Sequence, residues 1–166
     1  MPESTPTSNN PLIQIRDLDF AYGGHEGHEG HEIHGGFRLR IPRMDIDAGS
    51  EVALVGGSGC GKTTLAHLIA GIAQPRAGTI RVDGEELTGK SDRELRNFRI
   101  SRIGFIFQEF ELLDYLRAEE NILLPFLVNG ALTLGKKERL RARKLAESVG
   151  LRGKLRRRPG RLSQGP

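Results

Sequence analysis

The sequence has a single cysteine and no long apolar run, and each shortage excludes a class of protein. One cysteine, Cys60, excludes an intrachain disulfide and favours a reducing compartment. No stretch approaches the roughly 18 apolar residues that a membrane-spanning helix requires, and residues 1–10 lack the apolar core of an export signal. We therefore predict a cytoplasmic protein, and 166 residues suit one compact domain.

Apolar residues alternate with polar ones in two segments near the N-terminus, residues 12–22 and 37–46. This alternation predicts half-buried strands that form an antiparallel β part. Residues 51–55 (EVALV) and 103–107 (IGFIF) are short continuous apolar runs, which predict strands buried on both faces of a mostly parallel sheet. Another strand is predicted over residues 78–84 (GTIRVDG).

Four segments are predicted to be helical. Leu65, Leu68, Ile69 and Ile72 would share one face of a helix that ends within residues 71–75. A capping box at residues 91–94 predicts a helix to about residue 99. Two more helices are predicted, one over residues 117–128 interrupted at Pro125, and one over residues 136–149. The last helix has a sparse apolar stripe of Leu140, Leu145 and Val149.

Residues 56–63 match the P-loop pattern G-x-x-x-x-G-K-[ST], between a predicted strand and a predicted helix. Glycines allow backbone N–H groups to surround phosphate oxygens, and the helix N-terminus adds positive partial charge. Lys62 would reach the β- and γ-phosphates, and the Thr63 hydroxyl would bind Mg²⁺. The sequence therefore predicts ATP binding with Mg²⁺. The phosphate-site residues are Gly56, Gly57, Ser58, Gly59, Cys60, Gly61, Lys62, Thr63 and Thr64.

Three features accompany the P-loop: Tyr22 at the end of the first strand, Gln108 after the apolar run IGFIF, and the terminal residues 162–166 (LSQGP). With them, residues 12–166 resemble an ABC-transporter ATPase subunit. The resemblance implies that Tyr22 stacks on adenine and that Gln108, the Q-loop glutamine, contacts Mg²⁺ and the attacking water. Lys62 and Gln108 would thus serve catalysis. Ser163 and Gly165 resemble the signature motif, which binds the γ-phosphate of nucleotide on the opposite subunit.

Within the family, residues 91–99 (SDRELRNFR), IGFIFQEFELL and ENILLPF are most similar to the lipoprotein-release and macrolide-export branch. This resemblance implies a membrane permease and a second ATPase subunit as partners, and no nucleic acid. It also implies a protein bound peripherally to the inner face of the plasma membrane, which couples ATP hydrolysis to export or lipoprotein release.

Two departures lie in the signature motif, where Gln164 replaces the usual glycine and Pro166 the usual glutamine. The sequence stops there, before the Walker B aspartate and catalytic glutamate of the family. We therefore expect an α/β P-loop NTPase core, incomplete at the C-terminus, that binds ATP better than it hydrolyses it. The expected division is a flexible segment 1–11, a β part and P-loop core 12–108, and the start of a helical subdomain 109–166.

Several features leave alternatives open. His25, His28, His31 and His34 recur every three residues and predict either a metal site or a solvated loop. Residues 136–161 hold twelve Lys and Arg against two Glu, a local net charge of +10. That segment fits a solvated helix face, a nucleic-acid surface or a contact with lipid headgroups. The rival functions are a soluble ABC ATPase of DNA repair or translation and a non-hydrolysing nucleotide-binding regulator.

Overall fold

The computed structural model describes residues 11–22, 36–106 and 111–162. The chain divides into two compact units, residues 1–96 and 97–166. Among the residues described, no helix is both long enough and apolar enough to cross a membrane. Residues 1–10 of the predicted N-terminal segment, the four histidines of the predicted loop, Gln108, Ser163 and Gly165 lie outside the described residues.

The first unit contains a four-stranded antiparallel sheet in the order β2-β1-β3-β4. The strands are β1 Ile13–Ala21, β2 Arg38–Ile46, β3 Ala77–Val82 and β4 Glu85–Glu86. The central strand β1 pairs with β2 on one side and β3 on the other. Leu18 and Phe20 are buried two residues apart, as the alternation predicts, whereas Ile15 is buried with the opposite parity because an irregularity in the β1–β3 pairing lies between Arg16 and Asp19. The antiparallel β part is therefore confirmed.

Ion pairs on the exposed face fix the alignment of β1 with β2. The Arg38 guanidinium bonds to the Asp19 carboxylate, with 2.8 Å from Nε to Oδ1. These bonds hold the pKa of Asp19 below its ordinary value, with Arg40 adding to the effect. The pKa of Asp45 is lowered in the same way by hydrogen bonds from Arg43 and Arg16. A lowered carboxyl pKa means that folding favours the ionised form. The pairs that cross between the strands, from Asp19 to Arg38 and from Asp45 to Arg16, therefore support the strand pairing at neutral pH, whereas the Arg43–Asp45 pair lies within β2.

The first helix, α1, spans Lys62–Ile69 and ends before residues 71–75, where its end was predicted, so the predicted helical position of Ile72 was wrong. Leu65 and Leu68 are buried, whereas Ile72 is 47% exposed beyond the helix end. Gly71 follows the helix with a φ of +64°, and an added Cβ would lie 2.9 Å from Leu95. A glycine is required here because the chain turns in a left-handed conformation against a packed leucine.

Two predicted strands are absent, and both predictions were wrong. Residues 51–55 form no strand and are exposed, with Val55 at 93%. Residues 103–106 likewise form no strand, and Ile106 is 98% exposed. A buried strand needs a hydrogen-bonded neighbour and a covered face, and the described residues give neither segment a strand partner. The described sheet is consequently antiparallel throughout.

The capping box predicted at residues 91–94 is confirmed. The Ser91 N–H donates to Glu94 Oε2 at 2.9 Å, and the Glu94 N–H donates to Ser91 Oγ at 3.4 Å. These bonds satisfy two amide groups that the start of a helix would otherwise leave unpaired. The helix α2 spans Asp92–Arg102, three residues longer than predicted.

The second unit contains α3 Ala118–Val128, α4 Lys136–Ser148 and a 3₁₀ turn at Pro159–Arg161. The predicted interruption at Pro125 was wrong, because α3 continues through it. Proline removes one backbone donor, and the remaining helical bonds hold the segment together. In α4 the buried residues are Ala142 and Ala146, whereas the predicted stripe of leucines and valine is exposed. Residues four positions apart lie on one face of a helix, and small side chains there let a neighbouring segment approach closely. The prediction relied on side-chain size alone and therefore chose the wrong face.

Gly78 allows a test of how tightly β3 packs on β1. Its φ is +88°, and an added Cβ would lie 2.4 Å from the backbone oxygen of Asp17. We expect Gly78→Ala to lower the free energy of unfolding by roughly 2–5 kcal/mol, from left-handed strain plus a clash that only backbone movement relieves. Urea unfolding followed by far-ultraviolet circular dichroism measures the loss.

Gly84→Ala is the matched control for that measurement. Gly84 has a similar φ of +75°, but an added Cβ meets nothing within 4 Å. We expect a loss of about 1 kcal/mol from the positive φ alone. Equal losses for the two variants would show that the close contact at Gly78 contributes nothing.

Candidate nucleotide-binding site

The P-loop leads directly into α1 and turns on two glycines in left-handed conformations. Gly59 has a φ of +77°, and Gly61, the N-cap of α1, has a φ of +97°. No side chain caps the helix, and its first intrahelical bond is from the Leu65 N–H to the Gly61 carbonyl. The amides of Lys62, Thr63 and Thr64 therefore begin the helix without intrahelical acceptors, which is the arrangement that binds anions.

The Lys62 side chain folds back across the loop. Its Nζ atom donates to the carbonyl oxygens of Gly56 and Gly57, both at 2.8 Å. The same ammonium lies 3.7 Å from Cys60 Sγ. A positive charge is thus held above the loop by bonds that phosphate oxygens can replace, and charge-assisted bonds to phosphate are stronger than bonds to neutral carbonyls.

Two aromatic side chains form a wall beside the loop. The Tyr22 and Phe37 ring centroids are 5.9 Å apart, and the Tyr22 N–H donates to the Phe37 carbonyl at 3.3 Å. Tyr22 Oη lies 3.3 Å from Thr64 Oγ1, which links the wall to the first turn of α1. Phe37 packs so closely on Gly61 that an added Cβ would be 2.6 Å from its ring.

The P-loop, the start of α1 and the aromatic wall enclose a cleft of about 410 Å³. Its lining residues are Tyr22, Phe37, Ser58, Gly59, Gly61, Lys62, Thr63 and Thr64. Seven of these eight are predicted site residues. Gly56, Gly57 and Cys60 belong to the same loop and contact Lys62, whereas predicted residues Gln108, Ser163 and Gly165 lie outside the described residues.

Sequence reasoning missed Phe37 as a site residue. Alternation over residues 37–46 assigned it to a half-buried strand. Phe20, the other aromatic residue beside Tyr22, is buried, with its ring edge-to-face against Tyr22 at a centroid distance of 4.8 Å. Phe37 precedes β2 by one residue and turns toward the loop. No local pattern marks it as a site residue, because its place beside Tyr22 depends on the pairing of β1 with β2.

The cleft also fits a magnesium ion bound together with nucleotide. Mg²⁺ prefers hard oxygen ligands and usually keeps several from phosphates and water. The Thr63 side chain is exposed and lines the cleft, so its hydroxyl is available as such a ligand. Thr64 is buried and engaged with Tyr22, which makes Thr63 the better-placed of the two hydroxyls.

Residues 39–166 match the sequence profile of the ABC transporter family. The chain belongs to that family. In the solved structures, a dimeric ATP-binding cassette, MJ0796, bound to ADP and Pi, matches 92% of this chain and 63% of that one. Its TM-score is 0.73 and its sequence identity is 26%. The predicted P-loop α/β fold class is therefore confirmed.

Relatives of known sequence agree with this assignment. The chain is 41% identical to the uncharacterized ABC transporter ATP-binding protein YknY of Bacillus subtilis, over 74% of this chain and 52% of that protein. It is 38% identical to the lipoprotein-releasing system ATP-binding protein LolD of Chromohalobacter salexigens, over 74% of this chain and 51% of that protein. It is 37% identical to the macrolide export ATP-binding/permease protein MacB of Nitrosomonas europaea, over 93% of this chain and 22% of that protein.

These matches confirm the predicted similarity to the lipoprotein-release and macrolide-export branch. The chain spans about half the length of the first two of these relatives. What the whole proteins transport and bind therefore bears on this chain only by proposal.

The aromatic wall makes a testable prediction about which ring supports the base. Base–aromatic stacking contributes about 1–3 kcal/mol per base, so Tyr22→Ala should weaken ATP binding about 5- to 150-fold, while Tyr22→Phe retains the ring and most of the affinity. Isothermal titration calorimetry measures both. Tyr115→Ala, which removes the chain's other tyrosine, itself 69% exposed, is the control. If Phe37→Leu weakens binding and Tyr22→Ala does not, Phe37 is the platform.

Proposed function

We propose that this chain is the ATP-binding part of an ABC transporter that couples Mg-ATP binding and hydrolysis to substrate movement through a membrane permease. One observation carries the proposal: a lysine ammonium, a helix N-terminus and an aromatic wall line the same cleft. The first two groups suit phosphates, and the third suits a planar base. Family membership and the relatives' names support the same assignment.

In this proposal the residues of the cleft divide the nucleotide between them. Backbone amides at the start of α1 and in the glycine loop donate to the phosphate oxygens, and Lys62 exchanges its two carbonyl acceptors for the β- and γ-phosphates. The Tyr22 and Phe37 rings hold the adenine. Binding thus converts a loop that is bonded to itself into a loop bonded to ligand.

Thr63 would hold Mg²⁺ at the phosphates, and Gln108 remains a proposed second contact to the metal and to the attacking water. The ion, when bound, neutralises charge on the transferring phosphoryl group. Ser163 and Gly165 remain proposed contacts to nucleotide on a second ATPase subunit. A solved relative described as dimeric supports that subunit as a partner.

The transported substrate and the location follow from the branch. By similarity to LolD and MacB we propose lipoprotein release or export of an amphipathic compound, with the chain on the inner face of the plasma membrane beside its permease. Affinity purification from membranes of the native organism tests this assignment. Recovery of a permease supports it, and recovery of nucleic acid without a membrane protein contradicts it.

Lys62→Ala tests the phosphate role directly. Loss of charge-assisted hydrogen bonds should cost about 1.5–3 kcal/mol, which is roughly 10- to 150-fold in ATP affinity. Isothermal titration calorimetry with Mg-ATP measures the change. Arg93→Ala is the control, because it removes one exposed positive charge away from the cleft. Equal affinity of the folded Lys62→Ala variant and the unmodified chain would refute the P-loop assignment.

Cys60 reports occupancy of the loop without relying on affinity. The thiol is exposed and adjoins the Lys62 ammonium, which phosphate binding would reposition. We expect a small maleimide to label Cys60 quickly in the free chain and more slowly with saturating Mg-ATP, because ligand and reoriented lysine would cover the thiol. Mass spectrometry gives both rates. One rate under both conditions, in a sample shown by calorimetry to bind ATP, would place the thiol away from the phosphates.

A further inference from the structure

A second cleft lies within the unit of residues 97–166 and has a lining of arginine alone. It measures about 340 Å³, and its lining residues are Arg117, Arg156, Arg157, Arg158 and Arg161. All five residues are exposed. We call it the arginine pocket. It lies in a different unit from the P-loop cleft and shares no residue with it.

Backbone hydrogen bonds bring these arginines together. The amides of Ala118 and Glu119, which begin α3, donate to the carbonyls of Arg157 at 2.8 Å and Leu155 at 3.0 Å. The Arg161 amide then donates to the Arg158 carbonyl at 2.9 Å and closes a 3₁₀ turn. Because the main chain sets the arrangement, five like charges converge even though their side chains repel one another.

The carboxylates next to Arg117 in the sequence do not pair with the guanidinium groups of the pocket. Glu119 pairs with Arg143 at 3.3 Å, and the Glu120 carboxylate accepts the backbone amide of Arg117 at 2.6 Å. None of the five guanidinium groups has an ion pair within the described chain. A bound anion would remove the mutual repulsion and satisfy several guanidinium donors at once.

The chemistry of the lining selects the kind of anion. Guanidinium forks bind phosphate or carboxylate with two parallel hydrogen bonds. No aromatic side chain lines the pocket, so it offers no surface on which nucleic-acid bases stack. Its concave shape and small volume favour closely spaced charges over carboxylates spread along a peptide.

We propose that the arginine pocket binds a multivalent phosphate anion, either free polyphosphate or the phosphorylated headgroup of a lipid. The site is additional to the nucleotide cleft, and the proposal does not rest on the proposed transport function. It gives a role to part of the +10 segment, for which composition left a solvated helix face, a nucleic-acid surface and a contact with lipid headgroups open.

Calorimetric titration with sodium tripolyphosphate tests the site. The titration is made in a Lys62→Ala background, which weakens the P-loop, and compares two double variants that each remove two charges. Arg157→Gln with Arg158→Gln should weaken binding about tenfold or more, because two charge-assisted contacts are lost. Arg139→Gln with Arg141→Gln, on exposed positions of α4 outside the pocket, should change affinity less than about twofold.

Circular dichroism establishes that both double variants fold. Mg-ATP binding by the chain that retains Lys62 shows separately whether the nucleotide cleft is intact. Failure of the phosphate proposal is thereby separated from failure of the proposed function. Equal weakening by the two double variants would reduce the site to general charge attraction and overturn the proposal.

Sedimentation with phosphatidylglycerol vesicles, against phosphatidylcholine vesicles, distinguishes the two phosphate sources. Binding of tripolyphosphate alone identifies a free anion, and pocket-dependent binding to phosphatidylglycerol identifies a headgroup. Either result supports the proposal. Pocket-dependent binding that is tighter for poly-glutamate or duplex DNA than for both phosphate probes would overturn it, as would no pocket-dependent binding to any probe.

Discussion

The contact between the Phe37 ring and Gly61 is the constraint on which the nucleotide cleft depends. The ring approaches a residue without a side chain, in a left-handed conformation that other residues adopt only with strain. This contact joins the entry of β2 to the entry of α1. Pairing of β2 with β1 then places Tyr22 beside Phe37, so one missing side chain positions both aromatic rings and the loop.

Local chemistry was the part of this fold that the sequence allowed us to predict. Residues 91–94 place a hydroxyl and a carboxylate at the spacing that satisfies a helix start, and the structure contains those bonds. The P-loop glycines and Lys62 similarly carry their conformation and charge in adjacent residues. Strand β1 was predictable because alternating apolar residues indicate a half-buried strand, although the change of buried face between Ile15 and Leu18 follows an irregularity in its pairing with β3.

Predictions failed where the outcome depended on distant partners. The apolar runs at residues 51–55 and 103–106 indicate burial, but burial requires strands on either side, which a local pattern does not specify. In α4 we predicted that the larger side chains Leu140 and Leu145 are buried, whereas Ala142 and Ala146 occupy the packed face. Phe37 and the arginine pocket were missed for the same reason, since both arise from backbone pairing between segments far apart in sequence.

The uncovered segment at residues 51–55 has a consequence for handling the purified chain. Val52, Leu54 and Val55 are exposed, and the backbone around them belongs to no strand. Short β-prone segments without proline or strong charge act as templates onto which other chains add strands, and they seed aggregation. Solubility should therefore depend on this segment more than on the net charge of +4. A lysine in place of Val55, its most exposed apolar side chain, should raise the concentration at which the sample remains clear.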